Sequence, residues 1–397
     1  MKRRGFLLFS LASISTHLLA APGTSTRFLL VFLRGGYDAA NVLIPHSSEF
    51  YFQARPNIAV PRDAMLKLDS DWALHPALRA IHAMHQRGEA AFVPFAGTHD
   101  LSRSHFQTQD TIELGQPAEA ARGYDSGFMS RLAAVLGASR SIAFSNQLPL
   151  SFRGPMAEQV RPVATVPIAA ARMKPPAVDE RQRELISQMY RDTQLAAQVS
   201  EGFAVRESVM RDLGEMRDLG AEMEAAGRNA VNPRRFENQA KRIARLMQGE
   251  FNLGFVDVGG WDTHAGQGGA AGYLAIHLEE LGRGLSAFAE GMGSAWRDTV
   301  VVVISEFGRT FRENGNRGTD HGHGSVYWVL GGSVRGGRVA GEQLRVSQET
   351  LFQARDYPVL NEYREVLGGI FARTYGLDAP QLARVFPSVS AKDLALL

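Results

Sequence analysis

The feature that most limits how this chain can fold is a series of short apolar runs, rich in branched and aromatic residues and closed by glycine or polar turns. They are "RFLLVFL" at 27–33, "AAFVPFA" at 90–96, "LGFVDV" at 253–258, "TVVVVIS" at 299–305 and "VYWVL" at 326–330. Their length, composition and punctuation read as buried strands. Helical patterns lie between them, notably "PALRAIHAMHQRG" at 76–88 and "YLAIHLEELGRGLSAFAEGM" at 273–292, and "PVLNEYREVLGGIFARTYGL" reads as a closing helix that ends at Gly376. This alternation predicts an α/β domain with a mainly parallel sheet. The 397 residues allow one large domain or two ordinary ones at ~150 residues each. From about 178 to 249 the character changes to Arg, Glu, Gln, Ala, Leu and Met at helical spacing, which reads as a helical insertion with a solvated charged face.

The polar residues fall on this skeleton in a pattern. Asp38 lies just past the first run, Ser102, Ser104 and His105 past the second, Asp262 and His264 past the third, and Glu306 directly after the fourth. Four predicted strands therefore deliver candidate ligands at their C-terminal ends, where open parallel sheets place their binding crevice. The stretch "GTDHGHGS" at 318–325 adds Asp320, His321 and His323 just before the last run. Any one aspartate after a strand is more often a cap or turn residue than a ligand; the combination carries the signal. Asp257, inside its strand, reads as a structural hydrogen-bond partner, and His75, His82 and His85 read as packing or surface histidines of a helix. His46 and His277 have no companions, and His99 and Asp100 lie close enough to shape the loop.

There is no cysteine, which excludes disulfides, thiolate ligands and cysteine nucleophiles. Histidines mixed with carboxylates suit zinc, manganese or iron better than calcium, which prefers oxygen shells. In an extended segment His321 and His323 point to one side, as do Asp262 and His264, so each pair can reach one metal or two neighbouring ones. Glycines flanking both pairs permit turns that a bulky residue resists. Ser104 precedes "HFQTQDTIEL", a predicted helix, and so sits at a helix N-terminus that favours an anion, where a metal can activate its hydroxyl. Ser102 is the alternative nucleophile, and an N-cap without chemistry is the alternative role for Ser104.

The opening "MKRRGFLLFSLASISTHLLAAPG" has a basic start, a short apolar stretch and small residues at Ala20 and Ala21, and reads as a signal peptide over 1–21 with a mature chain over 22–397. Arg3 and Arg4 followed by "GFL" point to the twin-arginine route, hence to a periplasmic or secreted protein. The formal charge of +2 falls to −1 once the three cations Lys2, Arg3 and Arg4 are removed. A nearly neutral mature chain without basic blocks is not expected to bind nucleic acid. No second long apolar run follows, so no transmembrane span is expected in the mature chain.

The stretches "FLRGGYDAANVLIP", "SRSHFQTQD", "GWDTHAGQ", "SEFGRTFRENGNRGTDHGHGSVYWVLGG" and "NEYREVLGGIF" together resemble the DUF1501 family of exported proteins, related to the alkaline phosphatase and sulfatase superfamily. The resemblance covers essentially the mature chain. It implies an alkaline-phosphatase-like three-layer sandwich with a mainly parallel central sheet, two metal sites and a nucleophilic serine or threonine. Carried over by position, Asp38 and Glu306 would belong to the metal on the nucleophile side, bridged by Ser104 or Ser102. Asp262, His264 and one of His321 or His323 would belong to the other. Arg34 would contact an anionic substrate or hold the glycine-rich turn. The chain departs from alkaline phosphatases in having Glu306 and Phe307 where they have an Asp-His pair, with Asp320 or His321 as candidates to compensate. "SRSHF" lacks the Pro and Arg of the sulfatase context, so a formylglycine mechanism is not expected. No P-loop, G-x-S-x-G elbow or H-E-x-x-H helix is present.

The expectation is an exported hydrolase of small phosphate or sulfate esters that uses one or two divalent ions, zinc or manganese, and a serine nucleophile. The alternatives are a catalytically inactive metal-binding or assembly protein with a partner surface on the helical insertion, and a phosphoryl transferase or mutase.

Overall fold

The computed structural model describes residues 26–154 apart from 121, 138, 146 and 147, residues 163–166, most of 180–204, and 235–397. The signal peptide read at 1–21 lies outside the described residues. So does much of the insertion read at 178–249, of which the helices α4 (Glu180–Tyr190) and α5 (Arg235–Gln248) are described.

Nine strands among the described residues form the central sheet. They are β1 (Arg27–Leu33), β2 (Ala90–Gly97), β3 (Ser141–Phe144), β4 (Ala164–Thr165), β5 (Leu253–Val258), β6 (Thr299–Ser305), β7 (Ser325–Gly331), β8 (Arg338–Val339) and β9 (Asn361–Glu362). The order is β8-β2-β7-β6-β1-β5-β3-β4, with β9 also pairing β2. All pairings are parallel except those of β7, which runs antiparallel to both β2 and β6. The five strands expected from the sequence are all present; β3, β4, β8 and β9 are additions, too short to stand out as apolar runs.

Alternation along the strands divides the core in two. Leu29, Val31 and Leu33 of β1 join Val301, Val303 and Trp328 on one face, covered by α1 (Arg79–Gln86), α5 and α6 (Tyr273–Met292). Phe28, Leu30 and Phe32 join Val300, Val302, Ile304 and Tyr327 on the other, covered by α3 (Phe128–Leu136) and α7 (Tyr363–Tyr375). The result is a three-layer α/β sandwich with a mostly parallel sheet. The helix α2 (His105–Leu114) starts after Ser104 and ends at Gly115, whose φ of 62° supplies the left-handed cap.

Register sets the rim. Leu33 pairs with Val258 on one side and Ser305 on the other, so β1, β5 and β6 end level and the residues after them emerge side by side. Because β7 is reversed, the residues that precede it arrive at this same rim. Beneath it, Arg55 and Asp38 form a fully buried ion pair, with Arg55 Nη1 donating to Oδ2 at 2.5 Å and Nη2 to Oδ1 at 3.0 Å. Arg55 also donates to the carbonyls of Phe311 and Thr310, which ties the end of the short helix Glu49–Ala54 to the segment after β6.

Two stability predictions follow from these burials. Arg55→Met leaves the Asp38 carboxylate buried and uncompensated, at a cost of about 3–5 kcal/mol, read as a lower urea midpoint. Burial also pushes the His75 and His85 imidazoles below their ordinary value. The unfolded chain therefore takes up protons first: their contribution is complete above about pH 6.5 and is lost as pH falls through the lowered folded values. Urea unfolding with chelator present should show a lower midpoint at pH 5.5 than at pH 7.5; equal midpoints would contradict this account.

Candidate metal centre

Three segments meet at the rim. α2 contributes His105 in its first turn, the loop after β5 contributes Asp262 and His264, and the approach to β7 contributes His321. The Nε2 atoms of His105 and His321 lie 2.9 Å apart, and those of His264 and His321 3.0 Å apart. Asp262 closes the group, its Oδ1 at 3.0 Å from His264 Nε2 and 3.3 Å from His321 Nε2, its Oδ2 at 3.6 Å from His105 Nε2. One donor atom each from His105, Asp262 and His321 lies within 4.8 Å of the others.

The opposite ring nitrogens decide what this cluster can hold. Nδ1 of His105 faces Glu306 Oε1 at 2.7 Å, Nδ1 of His264 faces Asp320 Oδ1 at 3.3 Å, and Nδ1 of His321 faces the Arg103 carbonyl at 3.0 Å. All three partners only accept, so each Nδ1 carries the hydrogen and each neutral ring turns its Nε2 lone pair inward. Three lone pairs and a carboxylate converge, and a cation satisfies them all. Histidines backed in this way by carboxylates and carbonyls are the usual support of a divalent transition metal. His105, His264, His321 and Asp262 fit such an ion. Asp262 and His264 are each a little under half exposed, so solvent and a small ligand reach the cluster.

The electrostatics agree. Burial alone would raise the Glu306 carboxyl, but hydrogen bonds from His105, Gln109 and Ser305 outweigh it and hold it below the usual range. Burial would likewise raise Asp262, yet the hydrogen bond and charge of Arg309 lower it, with Nη1 at 2.6 Å from Oδ1. The hydrogen bond to Glu306 raises His105 against the opposing effect of burial, while burial and then the His105 charge lower His321.

The residues expected from the sequence separate into three groups. Asp262, His264 and His321 are brought together. Glu306 and Asp320 stand behind His105 and His264; Glu306 Oε1 also accepts from Gly35 N and Gln109 Nε2 at 2.8 Å each, and Asp320 from Asn314. Asp38 and His323 are not brought to the cluster. Asp38 is held by Arg55 and by Gln267 Nε2 at 2.6 Å. His323 is buried against Phe352, where burial and then the Arg103 charge push its imidazole down to about 4. It parts from His321 because the chain bends at 323 before β7 begins, which breaks the two-residue period.

Ser104 is half-buried at the position before α2, and its hydroxyl makes no capping bond. Ser102 Oγ lies 3.3 Å from Thr108 Oγ1 and accepts from Ser104 N. Arg34 is fully engaged by Asp257, Gln109 and Glu113 at 2.9 Å each, so it anchors Gln109 and through it Glu306. Asp257 is thus the structural partner expected, and Asp100 shapes the serine loop by accepting from Ser102 N and Thr111 Oγ1. His105, which the sequence places beside Ser104 at a strand exit without assigning it to either metal, joins the cluster. The glycines of "GTDHGHGS" serve close approach and not unusual turns. A Cβ on Gly318 would sit 2.4 Å from the His264 carbonyl, and one on Gly322 2.4 Å from that of Arg309.

Fold and site define a three-layer α/β protein with a histidine-carboxylate cluster at the sheet rim. The family described as "Protein of unknown function (DUF1501)" matches residues 25–386, and the chain belongs to it. No curated protein matches. Among solved structures the chain is similar to a protein in the alkaline phosphatase superfamily from Vibrio parahaemolyticus, with TM-score 0.43 and 11% identity over 93% of this chain and 70% of that one. It is also similar to the C-terminal periplasmic domain of EcEptC from Escherichia coli, with TM-score 0.39 and 9% identity over 94% and 89%. No helix among the described residues is long and apolar enough to cross a membrane.

The geometry separates ligands from neighbours in a measurable way. His105→Ala should weaken zinc uptake by about 100-fold or more, whereas His323→Ala should leave it unchanged. Metal content after dialysis, by inductively coupled plasma mass spectrometry, checks both.

Proposed function

We propose that the protein is an exported, metal-dependent hydrolase of small anionic esters, of the phosphate or sulfate class. The observation that carries this reading is the convergence of three Nε2 lone pairs and the Asp262 carboxylate on one point. One divalent cation, zinc or manganese, would be held by His105, His264, His321 and Asp262. Such an ion supplies a Lewis acid that stabilises negative charge on an ester oxygen. The chain's own residues then have distinct roles. Ser104, next to His105 and with its hydroxyl free of a capping bond, is the proposed nucleophile; its oxygen bonds to phosphorus or sulfur as the alcohol leaves, and water later releases the acid. Ser102 remains the alternative. Glu306 and Asp320 keep His105 and His264 in their ligating tautomer, and Arg309 fixes Asp262.

The ester class comes from the family resemblance, and export by the twin-arginine route from the signal read at 1–21. N-terminal sequencing of the periplasmic fraction tests the latter. A single specific observation favours a second reading, a metal-binding or assembly protein without turnover, whose partner would use the helical insertion. Asp38 and Glu306 are both fully engaged by other groups, so a second cation site is not assembled from them.

The test pairs metal content with turnover on aryl phosphate and aryl sulfate. Wild-type protein should hold about one equivalent of metal and hydrolyse one of the two classes. Ser104→Ala should lower kcat by about three orders of magnitude or more while keeping its metal. Full activity in that variant would eliminate Ser104 as the nucleophile and pass the test to Ser102→Ala, and bound metal with no turnover of either ester would favour the second reading.

A further inference from the structure

Three non-glycine residues with left-handed backbone meet beside the cluster. Arg103 has φ +51°, Gln353 +53° and Ala354 +52°, in a region that L side chains rarely adopt. Arg103 Nη2 donates to Gln353 Oε1 at 3.0 Å, and its Nε and Nη2 both donate to Asp356 Oδ2, at 3.1 and 2.7 Å. The Asp356 carboxylate is completely buried. Arg355 completes the clasp, donating through Nη1 to Asp356 Oδ2 at 3.0 Å and through Nη2 to the His321 carbonyl at 2.9 Å. On its backbone side, Arg103 offers its carbonyl to His321 Nδ1 at 3.0 Å.

We infer that Arg103 is a positioning residue of the metal centre: its guanidinium, anchored on buried Asp356, holds residue 103 in the left-handed turn that presents its carbonyl to His321. The proposal rests on the reading of the cluster as a cation site. Nothing in an arginine favours this conformation for its own sake, so the side-chain anchor has to offset the strain. If the turn relaxes to negative φ, the carbonyl rotates away and His321 loses the acceptor that keeps its hydrogen on Nδ1. The ring is then free to carry its hydrogen on Nε2, and that tautomer has no lone pair for the ion. Ser102 and Ser104 flank Arg103 in the same loop, and Ser102 Oγ accepts from Ser104 N. Strain at this loop is thereby linked to one ligand and to both candidate nucleophiles.

The experiment measures zinc affinity of the mature protein by chelator competition. Long-range ¹⁵N–¹H spectra of the histidine rings of the zinc-loaded protein report each tautomer, and circular dichroism reports the fold. Arg103→Ala should bind zinc about 10- to 100-fold more weakly, as expected for loss of an outer support of a ligand, with the Nδ1–H signature of His321 weakened or replaced by that of Nε2–H. Arg103→Lys should lie between. Asp356→Asn should reproduce the loss, and the double variant Arg103→Ala, Asp356→Asn should be no weaker than either single one, since both remove the same clasp. Folded Arg103→Ala with wild-type zinc affinity and an unchanged His321 signature would overturn the proposal while leaving the cation reading intact. Wild-type protein that takes up no zinc would overturn the cation reading, and this inference with it.

Discussion

One reversed strand organises the site. β1, β2, β5 and β6 run parallel and bring their C-terminal ends to the rim, as any open α/β sheet does. β7 enters between β2 and β6 in the opposite sense, so the segment before it reaches the rim that the others reach by leaving. That places His321 between His105 from the β2 side and Asp262 and His264 from the β5 side. Were β7 parallel, "GTDHGHGS" would lie at the far end of the sheet, out of reach of the other donors.

The donors then have to be held, and the means is a layer of polar groups behind them. Asp38 and Arg55 neutralise each other below the rim, and Gln267 links Asp38 Oδ2 to the hydroxyls of Thr263 and Thr319. Thr319 accepts from Arg309, whose other arm fixes Asp262. Each of these buried groups costs desolvation and is stable because it is paired. Behind the imidazoles, Glu306, Asp320 and the Arg103 carbonyl do the equivalent work by tautomer selection. Glu306, which the resemblance places on a metal, thus stands behind His105, and the group that converges at the rim is rich in histidine.

Much of the fold was legible because periodicity and punctuation act locally. The strands 27–33, 253–258 and 299–305 and the helices 273–292 and 105–114 have the limits expected. The antiparallel sense of β7 was not legible, since strand direction within a sheet depends on which neighbour it joins. At the site, the strand exits marked where His105, Asp262 and His264 come together, and the spacing of Asp262 and His264 brings both to one cluster. The same spacing failed for His321 and His323, where a bend replaces the extended chain. His105 was placed at its strand exit but given no metal, since the same stretch offered Ser104 as a second kind of chemistry.

The sequence by itself determined the buried strands, the layering and the set of groups available, because side-chain size, polarity and backbone preference are properties of neighbouring residues. It also limited any cation to nitrogen and oxygen donors, since the chain has no cysteine. Which carboxylate joins the cluster, which stands behind it and which lies buried under the rim was decided only by the tertiary structure. Asp38, Asp262, Glu306 and Asp320 are chemically alike; their roles differ because Arg55, Arg309, His105 and His264 come to them from distant parts of the chain, over distances that no local pattern encodes.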